Sequence, residues 1–221
     1  MTDLADGIDL DEAVRATRTG DIWIFRGTTV ADRTIQTLTN SPINHVGMAV
    51  ALGDMPPLMW HAELGKSLPD MWTGTYHRGV QLHDLRSAVQ VWAHRYGQRA
   101  WLRQLLTPIA PPQEDALLRT IARLNGTSFP STAKLLGRWF GGRVPLPQSR
   151  RGQSPRGGAR ELESAYCAEV VAQTYEAMGL LTETKRTNWY DPGKFWSGDR
   201  LPLAPGVELG PEITVRVDSN S

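Results

Sequence analysis

Apolar and polar positions trade places with two different periods along this chain, and the change of period predicts its elements. The segment GDIWIFRG (20–27) alternates and is rich in apolar and aromatic residues, which predicts a strand. In TVADRTIQTLTNS, Val30, Ile35 and Leu38 fall at roughly helical spacing. INHVGMAVAL (43–52) is a strong strand candidate, DMPP makes a turn, and LMWHAEL (58–64) is a second strand. So short a connection makes the two an antiparallel hairpin. GVQLHDL and AVQVWAHR read as two more alternating strands, and helical patterns follow at 98–107 and 113–124. PPQED opens the second of these with proline and acids, as a helix N-terminus favours. The stretch STAKLLGRWFG is a third apolar candidate. A last helix is expected from Ser164, a plausible N-cap, to Gly179, a plausible C′ residue. DPGKFWSG predicts one capped turn with Asp191 as its cap, EITVRV a final strand, and LDEAVRATR a short leading helix. Strands come first and helices mostly after, the order of an α+β fold with a largely antiparallel sheet.

Composition narrows the picture modestly. At 221 residues and 24.5 kDa the chain suits a single domain, residues 1–221, long enough to bury a proper core. No apolar run approaches the roughly 18 residues that a membrane span needs. The first twenty residues carry Asp3, Asp6, Asp9, Asp11 and Glu12 without an apolar core, unlike a secretory signal, so a cytoplasmic location is expected. A net charge of +1 argues against a general polyanion binder. The charge is uneven, however: Lys134 to Arg160 holds seven basic residues and no acidic one. Its later part, near 143–160, is rich in Gly, Pro, Ser and Arg and is expected to be a flexible basic insertion with weak attraction to anionic surfaces. Aromatics are not interleaved with the arginines, so no specific nucleic-acid partner is expected.

The candidate chemistry centres on SAYCAEVVAQTYEAMGL (164–180), which holds the one cysteine of the chain. One thiol excludes an internal disulfide. On a helix beginning near Ala165, Cys167 would occupy the first turn, where unpaired N–H groups and the positive dipole end favour a thiolate and can hold an oxyanion. Val170, Val171, Thr174 and Met178 share its face, so core packing is the competing reading. A nucleophilic cysteine needs a histidine in hydrogen-bond reach and a third polar group to orient that ring. Of the five histidines, His77, His83 and His94 lie in polar or strand-end contexts that suit structural or solvated roles. His45 enters an otherwise apolar strand after Ser-Pro, and His61 sits mid-strand with Glu63 on the same side two residues on. Paired as a hairpin, the two strands make His45 and His61 cross-strand or diagonal neighbours.

GDIWIFRG, SPINHVGMAV, LMWHAELG, GVQLHDL and AYCAEVVAQTYEAMGL, in this order, resemble the circularly permuted NlpC/P60 group, specifically the YaeF/YiiX-type permuted papain-like hydrolases. The lecithin:retinol acyltransferase-like enzymes share the order, and DPGKFWSG is similar to the Pro-containing segment that follows the cysteine helix in the YaeF/YiiX type. The resemblance touches about residues 20–85 and 160–198. It implies a permuted papain-like fold: an antiparallel sheet packed against helices, with the cysteine at a helix N-terminus. Cys167 would be the nucleophile and His45 the general base. His61 would be the third polar residue, with Glu63 in reserve. The implied activity is hydrolysis of an amide or ester through a thioester, by an amidase, peptidase or thioesterase-like enzyme, without cofactor or metal. A small peptide, an acylated amine or a lipid would be the substrate. Ala168 stands where these relatives usually carry Ser, and Asp21 is expected to support a loop. Three rivals remain: a lipid acyltransferase of the same fold, a catalytically silent binding module, and a Cys-His-His metal site.

Overall fold

The structure, a computed structural model, describes residues 7–27, 43–63, 65, 67–128 and 159–218, with the backbone alone for 159–165. The expected helix after Val30, the apolar stretch at 131–141 and the basic insertion near 143–160, apart from the helical backbone of its last two residues, lie outside the described residues. In chain order the elements are β1 (Ile8–Asp9), α1 (Leu10–Ala16), β2 (Ile22–Arg26), β3 (His45–Val50), β4 (Leu58–Glu63) and β5 (Gly79–Asp84). They continue with α2 (Leu85–Tyr96), β6 (Arg99–Leu105), α3 (Pro111–Leu124), α4 (Ala159–Ala177), short 3-10 turns at Thr187–Trp189 and Pro192–Phe195, and β7 (Leu209–Arg216). The result is an α+β fold with a mixed sheet in the order β1-β7-β6-β2-β3-β4-β5. Among the described strands, the β1–β7 pair runs parallel and every other neighbouring pair antiparallel. No helix among the described residues is long and apolar enough to cross a membrane.

Two expected elements change type. AVQVWAHR lies in α2, not in a strand, because the Asp84 carboxylate caps the Ser87 N–H at 2.8 Å and Gly97 closes the helix in the left-handed conformation. Its buried residues Leu85, Ala88, Val89 and Trp92 have helical spacing, which the chance alternation of Val89 and Val91 obscures. Conversely, the helix expected at 98–107 is β6, sandwiched between β2 and β7. There the pairing of both edges overrides a weak helical pattern.

The sheet has two covered faces. On one, Ile22, Ile24, Val46, Met48, Trp60, Ala62, Val80 and Leu82 pack with Leu117 and Ile121 of α3 and with Cys167, Val170 and Val171 of α4. On the other, Trp23, Phe25, Ala49, Met59, Ala100 and Leu102 pack with Leu10 and Ala13 of α1 and Leu85, Val89 and Trp92 of α2. The exposed edge of β5 is sealed by loops: Leu82 N–H donates to Asp70 Oδ1 at 2.8 Å and Met71 N–H to the Leu82 carbonyl at 2.7 Å. Val80 likewise exchanges bonds with Thr127 and Gly126 at 3.0 and 2.9 Å. That approach requires Gly79, whose φ is 136° and where a Cβ would collide with the Thr127 carbonyl. Asp21 ties the loop before β2 to β6, accepting from the backbone N–H groups of Arg18 and Leu105 at 2.8 Å each.

Candidate active site

Strand alternation places His45, His61 and His83 on the face that α2 covers, one on each of β3, β4 and β5. The register confirms it: His45 stands opposite Phe25, and His83 opposite Met59, both members of the α2-side core. Nε2 of His45 lies 3.1 Å from Nδ1 of His61, and Nε2 of His61 lies 2.9 Å from Nδ1 of His83. The three rings therefore form one hydrogen-bonded line across three strands. Trp92 closes it from above, edge-on to His45 at 3.8 Å and tilted to His61 at 5.3 Å between ring centroids. Burial pushes the His45 and His61 imidazoles well below their ordinary pKa, and the neighbouring rings push in the same direction. His83 falls to about 4, chiefly through burial, with Asp70 opposing and His77 adding to the fall. All three are neutral at neutral pH.

Glu63 faces the same side but has other partners. Its carboxylate accepts from Ser67 Oγ at 2.8 and 2.9 Å and from the Trp92 side chain, while burial raises its pKa. No hydrogen bond joins it to His45; the ring contacts His61 instead.

Cys167 is placed differently from the sequence-based expectation in two respects. It is the ninth residue of α4, not a first-turn residue, because the helix begins at Ala159. The run Ala-Arg-Glu-Leu-Glu before Ser164 consists of strong helix formers, so the helix passes through the expected cap. At that depth the backbone N–H belongs to the helix ladder and offers no oxyanion donor. Cys167 is also fully buried with Val46 and Met48, on the face opposite the histidines.

Along the strand axis the two groups nevertheless reach the same end of the sheet. Thr174 of α4 accepts from the Trp60 indole at 3.0 Å, and Trp60 pairs with Met48. Tyr175 donates to the Gly20 carbonyl, and Gly20 N–H bonds the Ala49 carbonyl, so α4 points its C-terminus toward the Val50 end. Cys167 precedes Thr174 by two turns, about 10 Å. His45 precedes Met48 by about the same distance. The rise along each element carries Cys167 and His45 toward the same end of the sheet, on its opposite faces. Residues 28–42 and 129–158 lie outside the described residues.

No group of three His, Cys, Asp or Glu among the described residues converges as a metal site, and the sheet separates the Cys-His-His set that could have formed one. The sequence reading missed His83 and Trp92. The signal was available for His83, because it has the same strand parity as His61 once β4 and β5 are paired. Trp92 was hidden by reading α2 as a strand.

No protein-family model matches the chain. No curated protein matches it either. Among solved structures, it is similar to one described as metalloprotein YiiX from Escherichia coli O157:H7, DUF1105, at 19% identity and a TM-score of 0.47. The match covers 87% of this chain and 95% of the other.

Proposed function

We propose that the chain is a cysteine-dependent hydrolase acting on an amide or ester, with Cys167 as nucleophile, His45 as base and His61 as the group that orients it. The observation that supports this is the buried neutral histidine line ending at His45, at the end of the sheet that Cys167 also approaches. Such a ring can take the thiol proton as sulfur attacks the carbonyl, then return it to the leaving amine or alcohol, leaving a thioester. Water, deprotonated by the same ring, releases the acid; an amine or lipid hydroxyl in its place would make the enzyme an acyltransferase. The reaction requires sulfur and ring to meet around the end of β3. His45 is the first residue of that strand, so bringing its ring round the strand end leaves Val46 to Val50 paired but breaks the Asn44 N–H bond to the Phe25 carbonyl at 3.0 Å and the contact with His61.

A second reading is favoured by the full burial of Cys167 and by its place on the far face: a catalytically silent module that keeps its thiol for packing. Incubation with aryl esters of short acids, followed by intact-mass and peptide-mass measurement, separates the two. The hydrolase should carry one acyl adduct, on Cys167, absent in Cys167→Ser and formed at least about a hundredfold more slowly in His45→Ala. Equal rates in wild type and His45→Ala would leave the silent module standing.

A further inference from the structure

Strand alternation sends every second residue of β2 and β6 to the face that α4 covers, and at one end of the sheet both rows finish in an arginine. Ile22 and Ile24 of β2 belong to the core on that face, so Arg26 points the same way. In β6, Trp101 packs against the same core, so Arg99 shares its side. The register sets Arg26 directly opposite Arg99, which brings their Cβ atoms to roughly 5 Å. Phe25, one residue earlier, stands opposite His45, so the pair lies at the end of the sheet where β3 begins. One strand further, Val215 pairs with Ala100, and Arg216 follows as the neighbour of Arg99. Three arginines therefore cross β2, β6 and β7 in one row, on the face that carries Cys167.

Like charges set directly opposite each other destabilise a sheet, and nothing among the described residues offsets this pair. Arg26 and Arg99 are exposed, and neither makes a hydrogen bond or ion pair to another described residue. Arg216 donates to the Gly7 carbonyl at 2.7 Å, which leaves its charge in the row. Asp9, opposite Arg216 on β1, accepts from the Glu12 N–H at 2.7 Å. Arg103, on the same face of β6, shows what an arginine with a structural task does. It is buried, donates to the Phe195 and Gly210 carbonyls at 2.6 and 2.8 Å, and lies 3.6 Å from Glu212. Arg99 has no such partners. Instead, a cleft of about 490 Å³ opens beside it, lined by Arg99 and Gln98 together with Trp101, Thr214 and Val215.

We propose that Arg26 and Arg99, reinforced by the charge of Arg216, bind the phosphate group of the acyl substrate. Two adjacent guanidinium forks can each donate a pair of N–H groups to a tetrahedral dianion, whereas a carboxylate matches one fork. The bound dianion turns the repulsion between the two arginines into a shared attraction. The cleft beside Arg99 has room for the organic part of a phosphate ester, and the row starts on β2, next to the strand whose first residue is His45. That this ester is the acyl donor rests on the hydrolase reading. The anion site itself does not, and the two can fail separately.

Calorimetric titration of the full chain with inorganic phosphate, glycerol phosphate and acetate, in low-salt buffer, tests the site. Both phosphates should bind at least about tenfold more tightly than acetate, and Arg26→Gln and Arg99→Gln should each weaken them at least about tenfold. Both side chains are exposed and repel each other, so neither variant should unfold at lower denaturant than wild type. Phosphate should raise the unfolding midpoint of wild type more than that of either variant. Equal phosphate affinity in wild type and both variants overturns the proposal, and so does phosphate binding no tighter than acetate. Glycerol phosphate should also slow the acylation of Cys167 by an aryl ester. Arginine-dependent phosphate binding that leaves this rate unchanged overturns the substrate assignment. Such binding in a protein whose Cys167 takes no acyl group leaves the anion site standing and removes the hydrolase reading. Vesicles of phosphatidylcholine with phosphatidic acid identify the source of the phosphate: they should sediment wild type but not Arg26→Gln if it sits on a lipid, and leave both in the supernatant if the ester is soluble.

Discussion

Trp92 sits where the α2-side core and the histidine line meet, edge-on to His45 and bonded through its side chain to Glu63. Its indole keeps water from the rings, and that dryness is the first cause of the low His45 and His61 pKa. Trp92→Ala should therefore do two things at once. Loss of a large buried aromatic should cost about 3–5 kcal/mol in denaturant unfolding. Water entering the space should let His45 titrate closer to its ordinary range, visible in its ring-proton shifts. A destabilised variant with an unshifted His45 titration would show that Trp92 only packs. At this scale the sequence was partly readable. His45 and His61 stood out because a polar ring in an apolar strand calls for a partner, and parity supplied one. His83 did not stand out, because a histidine beside Asp84 at a strand end has an ordinary explanation in solvent.

Helix α4 is the element on which the sequence and the structure part most sharply. Ser164 has the composition of a cap, and a helix beginning there would leave the Cys167 N–H unpaired. A helix beginning at Ala159 bonds it. Amide hydrogen exchange distinguishes the two starts: with the longer helix, the Cys167 N–H should exchange as slowly as that of Val171, while an exposed first-turn amide would exchange orders of magnitude faster. The same helix is pinned to the sheet by the Thr174–Trp60 bond. Thr174→Val keeps the shape but leaves the Trp60 N–H buried without a partner, which should cost about 1–3 kcal/mol in equilibrium unfolding. A neutral result would mean that water or another acceptor reaches the indole. Strands β2 to β5 were legible because alternation and turn residues agree with pairing to near neighbours in sequence. The exchange of type between α2 and β6 was not, since β6 owes its state to β2 and β7, which lie far away in the chain.

At the scale of the whole molecule, buried titratable groups of opposite kinds oppose one another as the pH changes. His45, His61 and His83 titrate below their ordinary value of 6.5 in the folded state, so on acidification the unfolded chain takes up their protons first. Their contribution is fully present above about pH 6.5 and is lost as pH falls toward the folded values, about 4 for His83. Asp21 acts in the other direction. Burial outweighs its two backbone hydrogen bonds and raises its pKa from 3.8 to about 6, so between these values the folded state holds a proton that the unfolded state has released. Stability linked to Asp21 is therefore greatest below about pH 4 and declines as pH rises to about 6, by about 2–3 kcal/mol if the site does not relax. Denaturant unfolding of wild type and Asp21→Asn across pH 4 to 8 isolates this term, because the histidines contribute equally to both. The variant should be less stable throughout, since an amide cannot accept from both Arg18 and Leu105 as a carboxyl group does. Its deficit should shrink as pH rises from about 4 to 6 and stay level above, while both proteins lose stability when acidified from pH 7 to 6. A deficit independent of pH would mean that Asp21 is ionised throughout, held by its two N–H bonds and by Arg18 more strongly than burial opposes them.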